Sequence, residues 1–128
     1  RERPLNPKET VENAIARAAC ETAIEVGAKV IICCTRSGQT ARLVSRFRPE
    51  APVAAVSPNE RALCRSLLCW GTCPFHVDVT ADTDTMIRRA KEVVRQSELA
   101  RPGDRVVIVA GLPLPEAKGT NMLKVDVL

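Results

Sequence analysis

Six consecutive residues carry most of the chemistry this sequence offers. Thr35-Arg-Ser-Gly-Gln-Thr40 brings together three hydroxyls, one guanidinium and a glycine. The stretch follows a nearly continuous apolar run, Lys29 to Cys34, and opens a segment with helical spacing. A run of that kind fits a strand buried on both faces, as in a parallel sheet. Loops at the carboxyl edge of an open α/β sheet are where ligands bind. Hydroxyls and the unpaired backbone N–H groups of a helix start donate hydrogen bonds, the helix start adds positive potential, and Arg36 supplies full charge. Together Thr35, Arg36, Ser37, Gly38, Gln39 and Thr40 suit a phosphate group. The spacing is not that of a P-loop, which needs Gly-x-x-x-x-Gly-Lys. A well-capped turn with no ligand draws on the same residue types and stands as the alternative.

A second loop, Gly111 to Thr120, leaves the apolar run Arg105–Ala110. If the two runs form neighbouring strands, both loops border one crevice. Gly111, Lys118, Gly119 and Thr120 could then close over a second anionic group; a long connection without a ligand is the alternative.

Other reactive constellations are missing, and no catalytic residue and no metal site is assigned. The single histidine, His76, follows Phe75 in a short predicted strand and reads as a satisfied structural residue. Asp78, Asp82 and Asp84 cluster where a helix needs a cap. Cys20, Cys33, Cys34, Cys64, Cys69 and Cys73 contain no Cys-x-x-Cys pair. They read as buried small hydrophobes in a reducing compartment. The nearest approach to a metal site, Cys64, Cys69 and Cys73 with His76, has poor spacing for zinc.

Composition narrows the partners. The 128 residues, 45% apolar and 27% charged, are enough for one domain with one core. Aromatic residues make up only 2%, too few for base-stacking on rings as a binding mode, and no nucleic-acid partner is expected. The net charge of +4 is mild, and its longest basic cluster, Arg88, Arg89 and Lys91, reads as a solvated helix face. No apolar run reaches membrane-spanning length, so no membrane partner is expected either. The chain begins at Arg1 without methionine, which suggests a processed product or a piece of something longer.

The elements that position these residues follow from periodicity and breakers. Residues 1–9 read as an extended lead-in. Thr10 caps a helix over about 11–26, with Val11, Ala14, Ile15, Ala18, Thr22 and Val26 on one face, and Gly27 stops it. A strand over 29–34, a helix over about 39–47 and a strand over 53–56 follow. Ser57 or Asn59 caps a helix over about 60–67, and Gly71 and Pro74 bracket a turn before a strand over 75–77. Asp82, Thr83 or Asp84 caps a helix over about 85–99, with Met86, Ile87, Ala90, Val94 and Ser97 facing inward. A turn at Arg101–Asp104 leads to the strand over 105–110. The alternating stretch Met122–Leu128 reads as an edge strand. Strands alternating with helices predict a three-layer α/β/α sandwich with a mostly parallel, five-stranded sheet. The last two strands lack a helical crossover, so the final one runs antiparallel.

The sequence resembles the C-terminal domain of pyruvate kinase, from about Thr10 to Leu128. The resemblance is carried by Glu12-Asn-Ala-Ile-Ala-Arg-Ala-Ala-Cys-Glu21, the loop 35–40, Arg46-Phe-Arg-Pro-Glu-Ala-Pro-Val-Ala-Ala-Val56, Gly71-Thr-Cys-Pro74, and Gly103-Asp-Arg-Val-Val-Ile-Val-Ala-Gly-Leu-Pro113 with Gly119-Thr-Asn121. It implies a five-stranded sheet between helices, four strands parallel and the last antiparallel. It implies a cytoplasmic glycolytic enzyme that transfers a phosphoryl group from phosphoenolpyruvate to ADP with Mg²⁺ and often K⁺. The catalytic groups and both ions belong to a separate barrel domain, so no cofactor is expected in this one. The resemblance further implies a homo-oligomer, a tetramer in the full-length enzyme, and a phosphorylated allosteric effector. Residues 35–40 would hold an effector phosphate, and the loop 111–120 would close over a sugar. Bisphosphate-responsive members carry a Trp and an Arg for a second phosphate. Here the only Trp is Trp70, and Met86 falls near the position of the Arg, for which Arg88 or Arg89 could substitute, so a sugar phosphate or a nucleotide monophosphate is at least as well matched as a bisphosphate. A free-standing phosphate-ligand protein and a purely structural dimerisation module of the same fold are the rival expectations.

Overall fold

The apolar runs of the sequence become the central strands of one sheet. The computed structural model describes residues 7–79, 82–110 and 122–128. In chain order the elements are α1 (Pro7–Val26), β1 (Val30–Cys34), α2 (Gln39–Arg46), β2 (Val53–Ser57), α3 (Glu60–Ser66), β3 (Thr72–His76), α4 (Thr83–Ser97), β4 (Arg105–Ala110) and β5 (Met122–Val127). The strand order is β3-β2-β1-β4-β5. β1 pairs in parallel with β2, Ile31 opposite Val53, and with β4, Ile31 opposite Val107. β3 pairs in parallel with β2, and β5 runs antiparallel to β4, Ala110 opposite Met122. The expected fold class, the antiparallel last strand included, is what is found.

Successive residues of a strand point to opposite faces, so the sheet feeds two cores. Ile31, Cys33, Val53, Ala55, Val107 and Val109 pack on one side with α1 and α2. Ile32, Cys34, Val56, Val106 and Ile108 pack on the other with Ile87, Ala90 and Val94 of α4. Each fully buried Ile or Val side chain contributes roughly 1.5–3 kcal/mol of transfer free energy. Two helix-covered faces explain why β1, β2 and β4 read as unbroken apolar runs.

Several boundaries and faces differ from expectation. α1 begins at Pro7, so residues 7–9 are helical rather than extended, and Thr10 lies inside the helix instead of capping it; residues 1–6 are outside the described stretch. The buried face of α1 is Ala16, Ala19, Cys20 and Ala23; Val11 is exposed, as is Ala14. Small residues let the helix axis approach the sheet, while Ile15 and Val26 of the expected stripe pack, partly buried, against the same core. β3 starts three residues earlier than expected and contains Pro74. An edge strand tolerates proline because one side of its ladder is unpaired.

α4 ends at Ser97, which is exposed rather than inward-facing. Its cap is Asp82, which accepts from the Thr85 N–H at 2.7 Å. That bond, then the Thr85 hydroxyl, holds the Asp82 carboxyl below the usual carboxylate range. The cap of α3 is Asn59, whose side-chain oxygen accepts from Arg61 and Ala62 N–H groups. Only half of the cysteine expectation holds. Cys20, Cys33 and Cys34 are buried, whereas Cys64 is exposed and Cys69 and Cys73 are half-buried on the α3–β3 side. His76 is likewise exposed, with Nδ1 4.0 Å from the Asp78 carboxylate.

Candidate functional site

The loop 35–40 leaves β1 at the carboxyl edge of the sheet and turns directly into α2. Thr35 still belongs to the sheet through its N–H, which donates to the Val56 carbonyl at 2.9 Å. Gly38 then reverses the chain, with φ 89° and ψ −5°. Glycine alone reaches that left-handed backbone without a Cβ penalty. The Gly38 carbonyl accepts from the Arg42 N–H at 3.1 Å and so starts the helix.

Internal bonds shape the turn. The Gly38 N–H donates to Thr35 Oγ1 at 2.9 Å, and the Gln39 N–H donates to Ser37 Oγ at 3.2 Å. Each hydroxyl has one hydrogen to donate besides the lone pairs it uses here, so accepting these bonds leaves it able to donate. Arg36 and Ser37 are exposed, Thr35 and Gln39 half-buried, and Thr40 buried. Gln39 is the first residue of α2, and within the helix its Oε1 accepts from Arg42 Nη2 at 2.7 Å and from Nε at 3.0 Å. Gln39 and Arg42 also border a hollow of about 190 Å³ between α1 and α2, with Glu12, Asn13, Leu43 and Arg46.

All six loop residues predicted from the sequence therefore form one turn. The turn presents two hydroxyls, a guanidinium and the start of an eight-residue helix toward solvent. This arrangement can donate several hydrogen bonds to a tetrahedral anion and neutralise part of its charge.

Sequence reasoning missed the wall against which the turn rests. Arg65 Nη1 donates to the Ser37 carbonyl at 2.9 Å, across 28 residues of sequence. A Cβ on Gly38 would meet the Ala62 carbonyl oxygen at 3.3 Å. Both neighbours lie on α3, which follows β2, the strand beside β1. No contiguous sequence signal links them to the turn; the pairing of β1 with β2 brings them there.

β1 and β4 are adjacent and parallel, with Cys33 opposite Val109, so the chain leaves both strands at the same edge. Gly111, Lys118, Gly119 and Thr120 themselves lie outside the described residues. Among the described residues, no group of three His, Cys, Asp or Glu side chains could hold a metal ion. No described helix is long and apolar enough to cross a membrane.

Comparison with known proteins gives one consistent result. Residues 13–126 match the family model described as pyruvate kinase, alpha/beta domain. A pyruvate kinase of Clostridium acetobutylicum is 37% identical over 127 residues, covering 99% of this chain and 27% of that protein. A pyruvate kinase of Geobacillus stearothermophilus is 35% identical over 127 residues, covering 99% of this chain and 22% of its own length. One from Eimeria tenella is 36% identical over 124 residues, covering 97% and 23% respectively. The chain thus spans about a quarter of the length of the curated relatives it matches.

Proposed function

The chain belongs to the pyruvate kinase family as its C-terminal alpha/beta domain, and from that premise we propose that it binds a phosphorylated effector and joins subunits. In this reading the transfer of a phosphoryl group from phosphoenolpyruvate to ADP, with its Mg²⁺ and K⁺, belongs to a barrel domain of a cytoplasmic tetramer. The observation that carries the reading is the turn Thr35–Thr40, where two half-exposed or exposed hydroxyls and Arg36 surround a helix start at the sheet edge. An effector that binds one quaternary arrangement better than another shifts the population toward it. The loop 35–40 supplies groups for one phosphate, and Trp70 and Met86 do not supply the second-phosphate pair of bisphosphate-responsive members, which favours a sugar phosphate or a nucleotide monophosphate.

Calorimetric titration with glucose 6-phosphate, AMP and fructose 1,6-bisphosphate tests this. At least one of the three is expected to bind, and Arg36→Ala is expected to weaken it about ten-fold or more, the worth of a charge-assisted hydrogen bond. Affinity left unchanged by both Arg36→Ala and Ser37→Ala would remove the site from these residues. Turnover of phosphoenolpyruvate and ADP by the 128-residue chain alone would overturn the division of labour.

A subunit contact is supported by the edge strand β5, where Val125 is 42% and Val127 50% exposed. An uncovered edge with apolar side chains favours pairing with a second copy. Sedimentation showing only monomer at high concentration would count against it.

A further inference from the structure

We infer that Arg65 is a positioning residue that sets the orientation of one peptide unit in the phosphate turn, an inference that rests on the effector-binding reading above. The unit is the one joining Ser37 to Gly38. A trans peptide is planar, with its C=O and N–H pointing in opposite directions. Both ends of this one are held: Arg65 Nη1 donates to the Ser37 oxygen at 2.9 Å, and the Gly38 N–H donates to Thr35 Oγ1 at 2.9 Å. Thr35 directly follows β1 and Arg65 stands in the last turn of α3, so the grip comes from two separate parts of the chain.

The grip has a consequence for an anion. A peptide unit turned over would break the Gly38–Thr35 bond and aim a carbonyl oxygen at Thr35 Oγ1, where it would take the hydroxyl hydrogen that Thr35 otherwise offers to an anion. Gly38, at φ 89°, supplies little resistance of its own, because glycine accepts either sign of φ. The bond from Arg65 engages the Ser37 carbonyl and so leaves the Thr35 hydroxyl hydrogen available to donate. Arg65 is exposed, so its charge also adds to the positive potential around Arg36. Position and charge are separable by substitution, since lysine keeps the charge but not the planar fork.

The test uses Arg65→Met and Arg65→Lys in the full chain. One readout is amide hydrogen exchange at Gly38 without ligand; the other is calorimetric titration with glucose 6-phosphate and with inorganic phosphate. Arg65→Met is expected to speed Gly38 exchange about ten-fold and to weaken anion binding by about the same factor, as loss of a charge-assisted bond does. Arg65→Lys is expected to restore binding only in part. Unchanged exchange and unchanged affinity in Arg65→Met would overturn the inference. So would full recovery by lysine with exchange unaltered throughout, which would reduce Arg65 to a through-space charge. If the unsubstituted chain binds neither of these compounds, nor AMP, nor fructose 1,6-bisphosphate, the effector reading fails, while the exchange rate at Gly38 still decides whether Arg65 holds the turn.

Discussion

Gly38 and Ala62 approach so closely that a Cβ on the glycine would lie 3.3 Å from the Ala62 carbonyl oxygen. The turn and α3 are therefore in van der Waals register through backbone atoms that cannot swing aside. Gly38→Ala is expected to pay for a left-handed backbone, roughly 1–2 kcal/mol, and in addition to displace α3. Gly103, at φ 95°, has nothing within 4 Å of its would-be Cβ and isolates the first effect. Denaturant unfolding should show Gly38→Ala as the more destabilised of the two. Equal losses would mean that the Ala62 contact adds nothing.

The alanine face of α1 makes a second prediction. Ala19 is fully buried against the sheet, whereas Ala14, on the neighbouring stripe, is exposed. Ala19→Leu is expected to cost about 1–3 kcal/mol through overpacking. Ala14→Leu is expected to fall within about 0.5 kcal/mol of the parent. Thermal melts of the two variants distinguish this face from the one predicted by simple helical spacing.

The six cysteines divide by environment. Burial pushes the Cys20 thiol up to about 11 and the Cys34 thiol up to about 12, and burial, with Cys34 and Cys20 nearby, raises Cys33 as well. The thiolate is the reactive form, so these three are expected to resist alkylation at neutral pH. Cys64, Cys69 and Cys73 have solvent access and should be labelled first. Mass spectrometry after brief maleimide treatment should find the label on those three. Early labelling of Cys33 would contradict the packing of β1.

Lys91 and Asp126 tie α4 to the edge strand, with Nζ 3.2 Å from Oδ2. Burial, the largest single influence on Asp126, pushes its carboxyl upward. It is outweighed by the Val127 N–H, the Lys91 hydrogen bond and the charges of Lys91 and Lys124, so the net direction is down. A carboxyl lowered by folding adds stability that is present above its unfolded value, near 3.9. That stability is lost as pH falls through the folded value. The chain should therefore lose part of its stability below about pH 4, and Lys91→Met should reduce that loss. At neutral pH the same substitution is expected to cost about 0.5–1 kcal/mol. An identical acid-unfolding profile for Lys91→Met would discount the pair.

Much of this molecule was legible from one-dimensional pattern. Unbroken apolar runs at 30–34 and 106–110 fit strands covered on both sides, and the missing crossover before Met122 pointed to an antiparallel last strand. The six-residue turn was legible for the same reason: its residues are contiguous, so their chemistry is visible without folding. Tertiary structure decided what depends on two separated segments meeting. Which stripe of α1 is buried turned on how closely a helix axis can approach a sheet, and only small side chains such as Ala16, Ala19 and Ala23 permit that approach. Proline within β3 became acceptable only because β3 lies at the sheet edge. Arg65 and Ala62 joined the phosphate turn only because parallel pairing of β1 with β2 carries α3 alongside it. Local sequence determines what a segment can do, and long-range packing determines what stands beside it.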